Sequence, residues 1–345
     1  MDQTLMIDGR GPCLEGYEAG GQILRVALAL SAILKKSFKI QNIRAGRPKP
    51  GLQPQHLTCV NAINEITGGE IEGNTIGSME IFFKPETIKG GNYTFDTGTA
   101  GSVTLLAQSI LPIMLFANNE SHIILRGGTH VSWSPTVDYF EHVFLPLVKK
   151  LGAKVYFKIN RYGWYPRGKG EIELEIKPSK LRGINLVQRG RLKCIKGVCA
   201  YSKLDINIPE REISAACEIL PEMRAADVTI VKKEAASPGT ALTLWADYEN
   251  TIIGVEALGA IGKSAETVGY EAASYLKEEL THDAAVDKHM SDQLLIFLSL
   301  AEGNSYISIP ELTPHAKTCA WLIPQFTGVE FKINKNILSV SGIGV

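Results

Sequence analysis

No stretch of this 345-residue sequence is apolar for the about 20 consecutive residues that a bilayer crossing needs, so no membrane span is expected. The opening residues, MDQTLMIDGRG, lack the charged and apolar regions of a signal peptide, and a cytoplasmic location is expected. Neither sign of charge is in excess. Lys plus Arg and Asp plus Glu number 36 each, so no global field draws the chain to nucleic acid, and such a substrate has to be met by a local basic patch. Cysteines are few and scattered, at positions 13, 59, 194, 199, 217 and 319. Only Cys194 and Cys199 lie close together, with no second pair and no nearby histidine, which suits zinc poorly, and all six are expected to be free thiols. Neither a P-loop nor a complete dinucleotide fingerprint occurs.

What is present is an ordinary globular composition, 45% hydrophobic and 21% charged, long enough for two domains. Hydrophobic periodicity predicts a strand at TLMIDG, a helix over GGQILRVALALSAILKK, a strand at SFKIQNIRAG, a helix over PQHLTCVNAINEITG, and strands at GEIEG and MEIFFKP. The order restarts at Tyr93, with helices over AGSVTLLAQSILPIMLFA and SPTVDYFEHVFLPLVKKLG, and a third copy closes the chain. The expected fold is therefore α/β (α+β): a large domain of three βαβαββ repeats (approximately 4–85, 93–178 and 281–345) in pseudo-threefold arrangement. A smaller α/β insert domain, 183–280, is expected between the second and third repeats, leaving a discontinuous large domain of 1–182 and 281–345. In each repeat the loop from the middle strand to the second helix occupies an equivalent place, where ligands bind in α/β sheets, so His56 and His315 fall at analogous helix starts.

Several short stretches could carry chemistry. In ELTPHAKTCAWLIPQF, Thr313 is a candidate N-cap and Pro314 a first helical residue, placing His315 in the first turn. The positive helix end disfavours imidazolium by roughly 0.3–1 kcal/mol, so the ring is expected to lean toward neutral. The loop RAGRPKPGLQPQH carries Arg44, Arg47 and Gln55 on a proline-stiffened backbone suited to phosphate oxygens, or to no more than solvation. EAGGQILR places Glu18 before two glycines and Arg25 on the following helix, and Gln108 sits two turns into the matching helix of the second repeat. DKHMSDQLL sets His289, Asp292 and Gln293 at a helix start where a carboxylate could hold a divalent ion. In GTHVSWSPTVDYF, His130, Trp133, Pro135 and Tyr139 could hold a planar ring or simply pack in the core. RYGWYPRGKGEIELEI reads as a hairpin whose Arg161, Arg167 and Lys169 would form a basic rim.

Together these stretches resemble one family. RYGWYPRGKG is similar to the signature of RNA 3′-terminal phosphate cyclases, IRAGRPKPGLQPQHL and GGQILR to their N-terminal motifs, and DQLL followed by TPHAKT to their C-terminal active-site region. The resemblance extends from about Ile7 to Phe331 and is of the catalytic, archaeal-like type; Ala19 and Lys169 stand where glycine is usual, and His289 where an aromatic is expected. It implies an enzyme that uses ATP and a divalent metal, Mg or Mn, to turn an RNA 3′-phosphate into a 2′,3′-cyclic phosphate, as a monomer or homodimer away from membranes. By matching motif, it implies His315 as the nucleophile that takes up AMP. Arg25, Arg44, Arg47, Gln55 and Gln108 would bind phosphate, and Glu18 and Asp292 would lie near metal and nucleotide, with Gln293 beside them. Pro135, Tyr139 and His289 would lie near adenine. Two other readings stay open: a non-catalytic relative of this fold acting in ribosome assembly, and an enolpyruvyl transferase built from similar repeats.

Overall fold

The computed structural model describes residues 4–12 and 14–345, so Cys13 lies outside the described residues. The other five cysteines are free thiols. The first unit comprises β1 (Leu5–Asp8), α1 (Gly21–Leu34), β2 (Phe38–Gln41), α2 (Pro54–Thr67), β3 (Glu70–Glu72) and β4 (Ile81–Lys84). The second begins with β5 (Asn92–Asp96), α3 (Val103–Met114) and β6 (Ser121–Gly127). Its next helix starts as α4 (Val137–Tyr139), widens into a π-helical turn at Phe140–Phe144 and ends as α5 (Leu145–Lys150), before β7 (Lys154–Arg161) and β8 (Gly170–Lys177). Pro146, with no N–H to donate, stands two residues after the last residue of that turn.

A two-residue strand, β9 (Asn185–Leu186), precedes β10 (Leu192–Ser202), α6 (Asn207–Ile219), β11 (Asp227–Lys232), β12 (Gly239–Tyr248), β13 (Ile252–Leu258) and α7 (Ala265–Thr281). The chain closes with α8 (Met290–Gln293), α9 (Leu295–Leu300), β14 (Glu302–Ser308), α10 (Pro314–Thr327), β15 (Lys332–Asn334) and β16 (Ile337–Ile343).

This is the expected mixed α/β architecture. Three four-stranded sheets share one strand order, β1-β2-β4-β3, β5-β6-β8-β7 and β9-β14-β16-β15, and in each the first pair is parallel and the others antiparallel. The third sheet takes its first strand from before the insert, since Asn185 and Leu186 pair with Tyr306 and Ile307. Two residues carry no readable periodicity, so this strand lay hidden inside the segment expected for the insert. The fourth sheet, β11-β10-β12-β13, belongs to that segment.

Long apolar helices organise the core. α1 is buried along most of its length and packs against α2, α3 and α10, as expected of a helix apolar on nearly every side. Phe326 of α10 meets Phe38 of β2 edge-on at 5.8 Å, and Phe144 meets Phe297 of α9 at 5.9 Å, so all three units share one core. The fourth sheet covers α6 and α7 with one face, through residues such as Leu242, Leu244 and Val255, and gives Val198, Ala241 and Trp245 to the larger core with the other. Along that seam a Cβ on Gly254 would stand 2.4 Å from Val143 Cγ2, so β13 presses its bare backbone on the π-helical turn.

The seam also encloses carboxyls. Glu256 accepts hydrogen bonds from Thr136 N and Thr136 Oγ1, both at 2.8 Å, and its enclosure pushes its carboxyl up to about 7. An acid that ionises at about 7 when folded but near its ordinary 4.5 when unfolded holds a proton in the folded state alone between those values. Stability is therefore expected to fall as pH rises from about 4.5 to 7, and Glu256→Gln to flatten that slope, read as the urea midpoint against pH. A slope identical in the variant would sink this assignment.

Candidate active site

Four helix starts meet at one place. A Cβ on Gly21, the first residue of α1, would lie 2.5 Å from His56 Nε2 in the first turn of α2 and 3.1 Å from Arg25 Nη1. Gln55, also in that turn, accepts from Ser102 N, the N-cap residue of α3, at 3.2 Å. From α1, Gln22 Nε2 donates to the backbone oxygen of His315 in α10 at 3.1 Å and to Asp292 Oδ2 in α8 at 3.2 Å. The unpaired N–H groups of α1, α2, α3 and α10 thus make the region favourable for an anion.

α10 begins as its sequence predicts, with Thr313 Oγ1 accepting from Ala316 N at 3.1 Å and Pro314 in the first turn. The expected lean of His315 toward neutral is reversed in direction, however. Its Nε2 is 3.1 Å from Glu18 Oε2 and its Nδ1 is 3.5 Å from Asp292 Oδ2. The hydrogen bond to Asp292, against the cost of burial and with the charge of Glu18, raises the imidazole above its ordinary 6.5. Two carboxylates in contact outweigh a helix end, because an opposite charge within hydrogen-bonding reach shifts a pKa by about 1–3 units while the helix contributes less than about one. Burial works against Glu18 ionising, yet His315 and Arg47 hold it below its ordinary 4.5. Arg47 Nη2 donates to Glu18 Oε1, and Thr318 Oγ1 fixes the Glu18 backbone by accepting from Glu18 N at 3.1 Å and donating to Glu18 O at 3.2 Å.

The remaining phosphate-binding candidates divide. Arg25, Gln108, Asp292 and Gln293 line one cleft with Gln22, and Gln108 Nε2 donates to Gln293 Oε1 at 2.7 Å. Arg44 lies nearby but is occupied: Nη1 donates to the Lys49 and Gly51 carbonyls at 2.7 and 2.8 Å, stapling its own loop from a left-handed backbone at φ 55. These bonds shape the loop that presents Arg47.

Tyr139, of the adenine group, and His130, a candidate for holding a planar ring, are both buried. Tyr139 is 2% exposed, its hydroxyl donates to Asp287 Oδ1 at 2.8 Å, and its ring fills the seam against β13, so core packing leaves no face for a planar ligand. His130 is likewise buried, stacked on Trp164 at 4.3 Å and paired with Asp138 at 2.6 Å. Pro135 is partly buried, with its carbonyl accepting from Thr104 Oγ1 at 2.7 Å near the start of α3. His289 is exposed just before α8, and its amide donates to Asp287 Oδ1 at 3.1 Å.

Gln22 and His56 join the site without having been selected as site residues. Gln22 is 7% exposed, and its Oε1 is a buried acceptor with no donor among the described residues. Its signal was a lone amide one turn before Arg25 in an apolar helix. His56 is pushed down to about 3 by burial and by Arg25 and Arg44, so its ring is neutral. Its Nδ1 accepts from Gln53 N at 3.3 Å, which leaves Nε2 to carry the proton toward Gly21.

Among the described residues no three acidic, cysteine or histidine side chains form a ready metal shell. Glu18 and Asp292, with the unmatched Gln22 Oε1, are nevertheless the oxygen donors that a hard divalent cation accepts when it shares its coordination with phosphate.

Comparison with known proteins adds the following. Residues 17–333 match the family described as RNA 3'-terminal phosphate cyclase. The chain is 40% identical to the RNA 3'-terminal phosphate cyclase of Pyrobaculum neutrophilum over 95% of this chain and 96% of that one. It is 42% identical to that of Archaeoglobus fulgidus over 93% and 97%, and 43% identical to that of Sulfurisphaera tokodaii over 92% and 94%. Among solved structures, the enolpyruvyl transferase NikO from Streptomyces tendae is similar only at a TM-score of 0.28 with 11% identity, over 61% of this chain and 38% of that one, and carries no weight.

The carboxylate clamp has a direct readout. In protein labelled with nitrogen-15 in histidine, His315 is expected to titrate above its ordinary 6.5, Asp292→Asn to lower the midpoint and Glu18→Gln to lower it by less, since Asp292 supplies the larger share. A midpoint unmoved by Asp292→Asn would remove the clamp from the account.

Proposed function

As the chain belongs to the RNA 3'-terminal phosphate cyclase family, we propose that it performs ATP-dependent cyclisation of an RNA 3′-phosphate through a covalent adenylate on His315. The observation that carries this reading is the imidazole held on both nitrogens at a junction of helix starts, with Arg25 and Arg47 alongside. The noncatalytic alternative is disfavoured because the candidate nucleophile is present and oriented.

Asp292 holds Nδ1–H and fixes the ring, the role that a carboxylate plays toward a catalytic imidazole in general, so Nε2 is the attacking atom once its proton leaves and Glu18 withdraws. Arg47 already draws on Glu18 and favours that withdrawal. Nε2 then forms a bond to the α-phosphorus of ATP while the bond from that phosphorus to the β-phosphate bridging oxygen breaks and pyrophosphate leaves. Arg25, the helix starts and the amides of Gln55 and Gln108 face the accumulating negative charge. A divalent ion, Mg or Mn, held by Glu18 and Asp292 together with phosphate oxygens, would neutralise charge on the leaving group.

In the second step an oxygen of the RNA 3′-phosphate takes the α-phosphorus, the N–P bond breaks and His315 is restored. The 2′-hydroxyl then attacks the activated 3′-phosphorus, loses its proton, and closes the cyclic ester as AMP leaves. This step requires ribose at the terminus.

With ATP labelled at the α-phosphate and a divalent metal, the protein is expected to acquire label that survives base and is lost in acid, as a phosphoramidate is. His315→Ala is expected to acquire none, and Asp292→Asn to label about ten-thousandfold more slowly, the order seen when a catalytic imidazole loses its orienting carboxylate. A 2′-deoxy end should stop at the adenylated nucleic acid. Equal labelling of His315→Ala and wild type would refute the proposal.

A further inference from the structure

Two large aromatics stand in water beside this site. Trp133 is 99% exposed and Tyr165 is 78% exposed. Trp133 also adopts a left-handed backbone, φ 66, which a bulky residue occupies at a cost, and Ser134 Oγ braces the turn by donating to Val131 O at 2.9 Å. The loops that carry them are neighbours: Thr129 N donates to Gly163 O at 2.8 Å, and Tyr165 follows Trp164, on which His130 stacks. Both loops rest on the start of α3. Thr104 Oγ1 bonds the Pro135 carbonyl at 2.7 Å, and a Cβ on Gly168 would lie 2.8 Å from Ala100 Cα. One turn beyond Thr104, Gln108 reaches Gln293 in the cleft. Arg161, Arg167 and Lys169 are exposed on the same hairpin as Tyr165, and Arg167 N donates to Ser237 Oγ at 3.3 Å, docking that hairpin on the insert.

Building on the cyclase reading above, we propose that Trp133 and Tyr165 are stacking platforms for the unpaired nucleotides that lead to the RNA 3′ end, with Arg161, Arg167 and Lys169 meeting the phosphates between them. A strand offers bases and phosphates in alternation, and unpaired RNA is held by aromatic faces interleaved with cations. ATP offers a single base, and its phosphates belong with Arg25 and Arg47, so it leaves no use for two aromatics and three outlying cations. Among the ring-holding candidates of this loop, His130 and Tyr139 are consumed by the core and Trp133 is left free.

The test compares wild type, Trp133→Ala, Trp133→Phe and Tyr165→Ala on an unpaired oligoribonucleotide ending in a 3′-phosphate. Trp133→Ala should raise the KM for this RNA about tenfold, within the range of one lost base stack, with kcat at saturating RNA and self-adenylation by ATP alone as in wild type. Trp133→Phe should recover most of the loss, and Tyr165→Ala should behave like Trp133→Ala. An unchanged RNA KM overturns the inference, and so does a raised KM for ATP, which would assign the platform to adenine. Failure of wild type to self-adenylate would count against the cyclase reading instead. Quenching of tryptophan fluorescence by the oligoribonucleotide, absent in Trp133→Phe if the stack exists, then decides the platform separately.

Discussion

The clamp of Glu18 and Asp292 on His315 is the contact around which the site is arranged. Its parts come from three distant places in the chain: the loop before α1, the start of α8 and the start of α10. Gln22 joins them, with one amide nitrogen within reach of Asp292 Oδ2, the His315 carbonyl and Cys319 Sγ. That arrangement exists because α1 is the buried helix on which α2, α3 and α10 all pack. The core therefore positions the chemistry, and a shift of α1 against α10 would open the clamp without touching any reacting group.

The clamp also sets an electrostatic condition for activity. With both nitrogens facing carboxylates, the ring is biased toward imidazolium, which has no lone pair to attack phosphorus. A polyanionic nucleotide bound nearby favours imidazolium even more, unless the carboxylates are given other partners. Arg47 is one such partner already in place on Glu18. His56 follows the opposite logic: Arg25 and Arg44 help to keep it neutral, so it can donate from Nε2 without adding charge. The two histidines sit at equivalent helix starts and shift in opposite directions, one lowered by burial together with the guanidinium groups of Arg25 and Arg44, the other raised by two carboxylates against burial.

Much of this was legible in the sequence, and the division is physical. Periodicity and caps are local, so the order of elements in the repeats and the Thr313–Pro314 start of α10 could be read directly. The strand β9 escaped because two residues have no period. A lean of His315 toward neutral was a wrong expectation because the helix end is a local effect, whereas Glu18 lies almost the length of the chain away and Asp292 on another helix. Tyr139 looked available beside a proline in an aromatic loop, but β13 from the insert closes over it. The aromatic that stays free, Trp133, differs from Tyr139 in no property that sequence displays.

The balanced charge of the chain constrains how a nucleic acid could be handled. With Lys plus Arg equal to Asp plus Glu at 36, there is little attraction beyond the screening distance of about 8 Å at physiological salt. On the proposed reading, affinity would then come from groups within contact range of the bound end: the helix starts, Arg25, Arg47 and the outlying hairpin. A protein that gripped the length of a polynucleotide would be held at internal phosphates, which are diesters and offer no terminal phosphate to activate. A neutral surface with one cationic junction avoids that competition, so the absence of a global basic field is itself consistent with chemistry confined to a chain end.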